Sequence, residues 1–283
     1  MKKLIYAVAF MLATYAIEAQ VKTPQPSPKT TVQQVVGLTD VTLDYSRPSA
    51  KGRTIFGDLV PFGKLWRTGA NLNSMITFSD DVTIDGKVLP KGKYALFTVP
   101  KADTWEIIFY KTTDNWGTPE EFIESDVAIR ANAKPVMTDR RVETFTLSIG
   151  NITNDAADLE IAWEKTFVAL KFEVPSKKAA MASIAKVLAG PTAGDYFSAA
   201  QYYFQANIDH NKALEYINKA IGMVKPGEDA PFWHLRLKSL IQAKLGDKKG
   251  AIETAKLSLA GAQKEKNDDY VKMNNESIKE WSK

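Results

Sequence analysis

The sequence predicts two domains: an all-β antiparallel sandwich over residues 32–175, then an all-α, tetratricopeptide-like helical array over residues 176–283. Three observations carry this expectation. From Val32 onward, short runs rich in Val, Ile, Thr and aromatic residues are separated by Gly, Pro and Asp, the punctuation of an all-β domain. At Pro175 the apolar spacing changes from alternation to a helical stripe. In the second half, Asp209-His210-Asn211-Lys212-Ala213-Leu214 maps onto Asp247-Lys248-Lys249-Gly250-Ala251-Ile252, an internal repeat. A chain of 283 residues is long enough for two such cores.

The first residues read as a processing signal spanning 1–19. Lys2 and Lys3 form a positive start, residues 4–16 are apolar, and Ala19 offers a small residue at the cut. The apolar run is shorter than the ~20 residues that span a bilayer, so the mature chain is expected to be exported, periplasmic or extracellular, with no transmembrane segment. Residues 20–31 form a Pro-rich linker, in which Pro24, Pro26 and Pro28 favour extended geometry without main-chain donors.

In the β domain, Val41, Leu43 and Tyr45 alternate with Thr42, Asp44 and Ser46, the pattern of a half-buried strand. Asp85-Gly86 between two apolar alternations predicts a hairpin over residues 82–89. Further strands are expected at 94–99, 105–110, 145–149, 159–163 and 167–174. Thr118-Pro119-Glu120-Glu121 has the form of a capping box with proline at the first helical position, so a helix is expected there. Continued, that helix would place Asp126 and Arg130 four residues apart as a surface pair.

Residues 47–73, RPSAKGRTIFGDLVPFGKLWRTGANLN, fit neither a central strand nor a solvated linker. Phe56, Phe62 and Trp66 should pin the segment to the core, while Arg47, Lys51, Arg53 and Arg67 concentrate positive charge on it. Loops held on a rigid sheet are where binding groups tend to lie. The candidate ligand-binding residues are therefore Arg47, Lys51, Arg53, Trp66, Arg67, Asn71 and, from a later loop, Trp116. Arginine forks suit carboxylate or phosphate, and tryptophan faces suit a sugar or other ring, so an anionic or glycan ligand is the class implied. The competing reading is structural, with Arg47, Arg53 and Arg67 pairing with carboxylates of the domain to tether a long loop.

The first of these strings, together with LPKGKYALFTVP and WEIIFY followed by NWGTPEEF, resembles the domain of unknown function 2911, an exported bacterial family. The resemblance runs from about Gly37 to Val174. It implies a signal peptide and a β-rich domain often followed by tetratricopeptide-like helices. It implies no catalytic residues, since none are established for that family.

Most reaction chemistry is excluded by composition or spacing. The absence of cysteine removes thiolate nucleophiles, disulfides and zinc ribbons. Only two histidines are present, both beyond residue 175, so the β domain cannot build a Ser-His-Asp triad from its own residues. Five residues separate Gly57 from Gly63-Lys64 where a phosphate loop needs four. Ser49-Ala50-Lys51 lacks the spacing of a serine–lysine nucleophile pair. Asp80, Asp81 and Asp85 lack the alternation of a calcium loop, and turn chemistry accounts for Asp85-Gly86. No metal and no cofactor is expected. A net charge of +4 gives no ground to expect nucleic acid. What stays open is carboxylate-pair catalysis through Glu106, Asp126 or Glu143, which would make an envelope glycan- or peptide-acting hydrolase.

Helices are expected from Ser176 to a stop at Gly190-Pro191, and then over 195–207, 209–224, 229–245, 247–264 and 267–281. Asp or Asn stands at nearly every start, and Gly246 marks one end. Ala213 and Ala251 would let paired helices approach closely. His210 and His234 are expected at the surface or at caps. The resemblance to tetratricopeptide repeats implies a peptide or an envelope protein as partner; the alternative is a cap that buries only its own stripe. The favoured reading is thus an exported, non-enzymatic binding or scaffold protein.

Overall fold

The computed structural model describes residues 23–188 and 190–283. The processing signal read at 1–19 lies outside the described residues. Ten strands occur among the described residues: β1 Lys29–Val36, β2 Thr39–Ser46, β3 Ser74–Phe78, β4 Val82–Ile84, β5 Lys87–Leu89, β6 Gly92–Val99, β7 Trp105–Tyr110, β8 Val127–Ala133, β9 Pro135–Gly150 and β10 Ala156–Glu173. They form a six-stranded sheet in the order β1-β2-β3-β6-β7-β8 and a four-stranded sheet in the order β5-β4-β10-β9. Every pairing is antiparallel. One apolar core draws on both sheets, with Leu43, Ile76 and Phe109 from the first and Leu147, Trp163 and Phe172 from the second.

Local chemistry accounts for most of these strands. In β2 the apolar positions Val41, Leu43 and Tyr45 are buried while Asp40 is exposed, as alternation requires. Asp85 and Gly86 both adopt positive φ (48° and 74°), the geometry that joins β4 to β5 by a two-residue turn. The runs at 159–163 and 167–174, expected as two strands, lie in the single strand β10. Register shifts flank Glu164, whose φ of 55° absorbs the offset so that pairing with β9 continues past it.

Two expectations are corrected. The Pro-rich linker ends earlier than residue 31, because Lys29, Thr30 and Thr31 already pair with Ser46, Tyr45 and Asp44 of β2. Thr118-Pro119-Glu120-Glu121 starts no α-helix; after bends there is only a 3-10 turn, Glu124–Asp126, before β8. The pull of the sheet decides this: β8 pairs with β7, and Arg130 on β8 bonds Glu106 of β7 at 3.0 Å and Glu124 at 2.6 Å instead of Asp126.

Six helices follow: α1 Ser176–Val187, α2 Ala193–Gln205, α3 His210–Gly222, α4 Phe232–Lys244, α5 Lys248–Lys264 and α6 Asp268–Trp281. Asp209, Asp247 and Asn267 cap α3, α5 and α6 as the sequence suggests, each accepting from a main-chain N–H three residues on. Thr192 and Asp195 form a capping box that opens α2 two residues earlier than expected. Ser176 does not cap α1; its hydroxyl accepts from the Leu38 N–H at 3.0 Å and so ties the first helix to the β domain. Asp229 does not cap α4, which starts after Pro231, and pairs instead with Lys264 at 2.9 Å. Ala213 and Ala251 are fully buried where the repeat places them. His234 departs from expectation. It is only 7% exposed, because the Phe197 ring of α2 stacks on it at 4.5 Å with 14° between planes.

Candidate functional site

Residues 47–73 are stitched to the body of the β domain at three places. The 47–50 stretch runs along β9: Phe145 N–H donates to Pro48 O, and Ala50 N–H donates to Glu143 O, both at 2.8 Å. Ile55 and Val60 are buried, and Val60 N–H donates to Ile55 O at 2.8 Å, closing a compact turn. Trp66 then pairs with Thr98 of β6. Its indole enters an aromatic cluster, stacked on Trp163 at 6.0 Å and edge-on to Phe145 at 5.3 Å. Such contacts are worth about 0.5–1.5 kcal/mol beyond burial, so the segment is fixed rather than draped.

The 112–118 loop is held beside it by Asn73. Its Oδ1 accepts from Asn115 N–H at 3.0 Å, and its Nδ2 donates to Thr113 O at 3.2 Å. This brings Trp116 and Gly117 next to Arg67. Gly117 has a φ of 102°, a conformation that favours glycine, and a Cβ there would lie 2.9 Å from Arg67 Nη1 and shift that guanidinium.

Four of the candidate residues come together. Lys51, Arg53, Trp66 and Arg67 line one cleft of about 530 Å³, together with Pro26, Ser27 and the buried Trp163. A second cleft of about 350 Å³ shares Trp66 and Arg67 with the first and adds Lys64, Trp116 and Gly117. Trp116 is 74% exposed, so its ring is open to a ligand. Among the described residues, no Asp or Glu lines either cleft. The contrast with the domain is sharp, since residues 32–175 hold 16 basic and 20 acidic side chains.

Two candidates are placed elsewhere. Arg47 donates from Nε to Phe145 O at 3.0 Å and from Nη2 to Thr146 Oγ1 at 2.9 Å; it is turned onto β9 and lines neither cleft. Beside it, burial pushes the Tyr45 phenol above its ordinary value, and the hydroxyl donates to Leu147 O at 2.9 Å. Asn71, at a φ of 61°, donates to Ser27 O and Ser46 Oγ, both at 3.3 Å, and its own carbonyl accepts from Arg67 Nη1 at 3.1 Å. It positions Arg67 without lining either cleft.

The tethers also differ from those expected. Among the described residues, Arg47, Arg53 and Arg67 form no ion pair with a carboxylate. Their bonds go chiefly to main-chain oxygens, as when Arg53 donates to Ala50 O at 2.9 Å and Ser49 O at 2.7 Å. A carbonyl orients a guanidinium without neutralising it, so the positive charge stays available. The carboxylates have partners of their own: Glu106 holds Arg130, Asp126 accepts from Thr112 Oγ1 at 2.8 Å, and Glu143 accepts from Lys51 N–H at 2.6 Å. None of the three lines either cleft.

Sequence reasoning missed Lys64, Gly117 and Trp163. Lys64 lies inside the singled-out segment, whereas Trp163 reads as an inward strand residue, which it is at 2% exposure, and its place under the cleft floor comes only from three dimensions. Among the described residues no group of His, Asp and Glu is placed to hold a metal ion, and no helix is long and apolar enough to cross a membrane.

A family model described as "Protein of unknown function (DUF2911)" matches residues 27–172. No curated protein and no solved structure matches the chain.

Proposed function

Since the chain belongs to the DUF2911 family, whose description assigns no activity, its role has to be sought in the molecule itself, and we propose that it is a non-catalytic binding protein whose β domain captures an anionic group. The observation that carries this reading is the first cleft: three cations and the half-buried Trp66 on its wall, with no carboxylate among the described residues that line it. Arginines oriented by carbonyls are prepared to meet a carboxylate or phosphate with two parallel bonds, and little side-chain freedom is lost when they do. Clefts of about 300–1,000 Å³ are the usual size for small-molecule sites.

The helical half is, on this reading, a tetratricopeptide-like platform for a peptide or an envelope protein. Its support is the repeat, the buried Ala213 and Ala251 that let helices approach, and the exposed Trp233 and Leu257. Export is part of the same proposal and rests on the signal-like first nineteen residues.

The test is a thermal-shift panel of phosphate, citrate and galacturonate on the full chain and on R53A/R67A. Stabilisation of the parent that is lost in the double variant supports the reading. Absence of any shift, or equal shifts in both proteins, refutes it.

A further inference from the structure

The two clefts are not independent. They share Leu59, Val60, Trp66 and Arg67, which sets them side by side on the surface with Arg67 at their boundary. Their cations are distributed across the pair, with Lys51 and Arg53 on the first cleft, Lys64 on the second and Arg67 common to both. A single carboxylate or phosphate would meet one end of this series and leave the rest unpaired. Aromatic surface is spread in the same way, from the half-buried Trp66 to the open ring of Trp116, while Trp163 lies beneath at 2% exposure.

Resting on the anion-capture reading above, we propose that the natural ligand is an acidic oligosaccharide lying across both clefts. Its charged groups meet the successive cations, and a sugar face lies on Trp116. The walls favour a glycan over a peptide. A peptide docking as an added strand needs free main-chain donors and acceptors on the receptor. Here those groups are already used: Trp66 pairs with Thr98, and the 48–50 stretch pairs with β9. Nucleic acid is disfavoured because the domain around these four cations carries an acidic excess, which would repel a polyphosphate backbone extending beyond the clefts. Tryptophan faces and side-chain cations remain as the recognition chemistry, and both suit uronate or sulfated sugars.

Calorimetric titration of the full chain with mono-, di- and tetragalacturonate tests this directly. A heparin-derived tetrasaccharide distinguishes sulfate from carboxylate, and maltotetraose and tetraglutamate serve as the uncharged and peptidic comparisons. The expected result is an acidic tetrasaccharide bound at least about tenfold tighter than galacturonate, because later contacts form intramolecularly. In K64A/W116A the ratio of tetramer to monomer affinity should fall to near one. Equal affinity for monomer and tetramer overturns the extended ligand while leaving single-anion capture intact. Tetraglutamate or maltotetraose binding as tightly as the acidic sugars overturns the glycan assignment. Failure of every acidic sugar, galacturonate included, overturns this proposal; failure of phosphate and citrate as well removes the reading beneath it.

Discussion

Trp66 and Thr98 exchange both of their main-chain hydrogen bonds, at 2.8 Å and 2.9 Å, although neither Trp66 nor its neighbours belong to a strand. This short bridge turns a polar, glycine-punctuated insertion into a wall of the β domain. It also sets the Trp66 ring against Trp163, so the cationic segment and the apolar core share one anchor. Replacing Trp66 with alanine should therefore cost roughly 3 kcal/mol, the low end for tryptophan truncation because the ring is only half-buried. Urea unfolding at equilibrium measures it; a change under about 0.5 kcal/mol would show that the segment is held without its indole.

Arg47 and Arg67 should behave differently. Arg47 satisfies Phe145 O and Thr146 Oγ1, so R47A is expected to lower stability by about 1–3 kcal/mol and leave anion binding in place. R67A should do the reverse, with near-parental stability and anion affinity reduced about tenfold or more, the worth of a charge-assisted bond. Paired unfolding and calorimetric measurements on the two variants decide the matter.

Gly117 links backbone conformation to recognition. At its φ of 102°, alanine is strained by about 1–3 kcal/mol, and the new methyl would press on Arg67 Nη1. G117A should thus lose anion affinity as well as stability. G52A, also at positive φ (74°) but with open space around it, should lose stability without displacing Arg67. Unfolding and titration of both variants separate strain from displacement.

The helical half carries its own pH dependence. Burial holds the His234 imidazole below its ordinary pKa of 6.5. The unfolded state therefore takes up the proton first, and stability that is complete above about pH 6.5 is lost as pH falls toward the depressed native value. Unfolding midpoints of the helical half, followed near pH 7.5 and pH 5.5, should differ more in the parent than in H234F, which keeps a ring against Phe197. An equal pH dependence in both would assign the effect to another group.

How far the sequence foretells this molecule depends on how local the cause is. The Asp85-Gly86 turn, the alternation of β2 and the caps at Asp209, Asp247 and Asn267 were all readable, because each is decided within a few residues. The capping-box pattern at 118–121 misleads because strand pairing and the Arg130–Glu106 contact outweigh a helix start. His234 misleads because Phe197, thirty-seven positions earlier, covers it. The segment 47–73 was recognisable from composition as an anchored, cationic insertion, and Lys51, Arg53, Trp66 and Arg67 do share a cleft. Arg47 and Asn71 could not be told from them, since their partners at Phe145, Thr146, Ser27 and Ser46 come from distant parts of the chain.

The most direct measurement is a heteronuclear NMR titration with galacturonate, following the arginine Nε–H and tryptophan indole N–H signals of the full chain. Anion capture predicts that Arg53, Arg67 and Trp66 shift together and saturate, while Arg47 stays in place. No saturable shift, or one centred on Arg47 or on arginines outside the clefts, would contradict it.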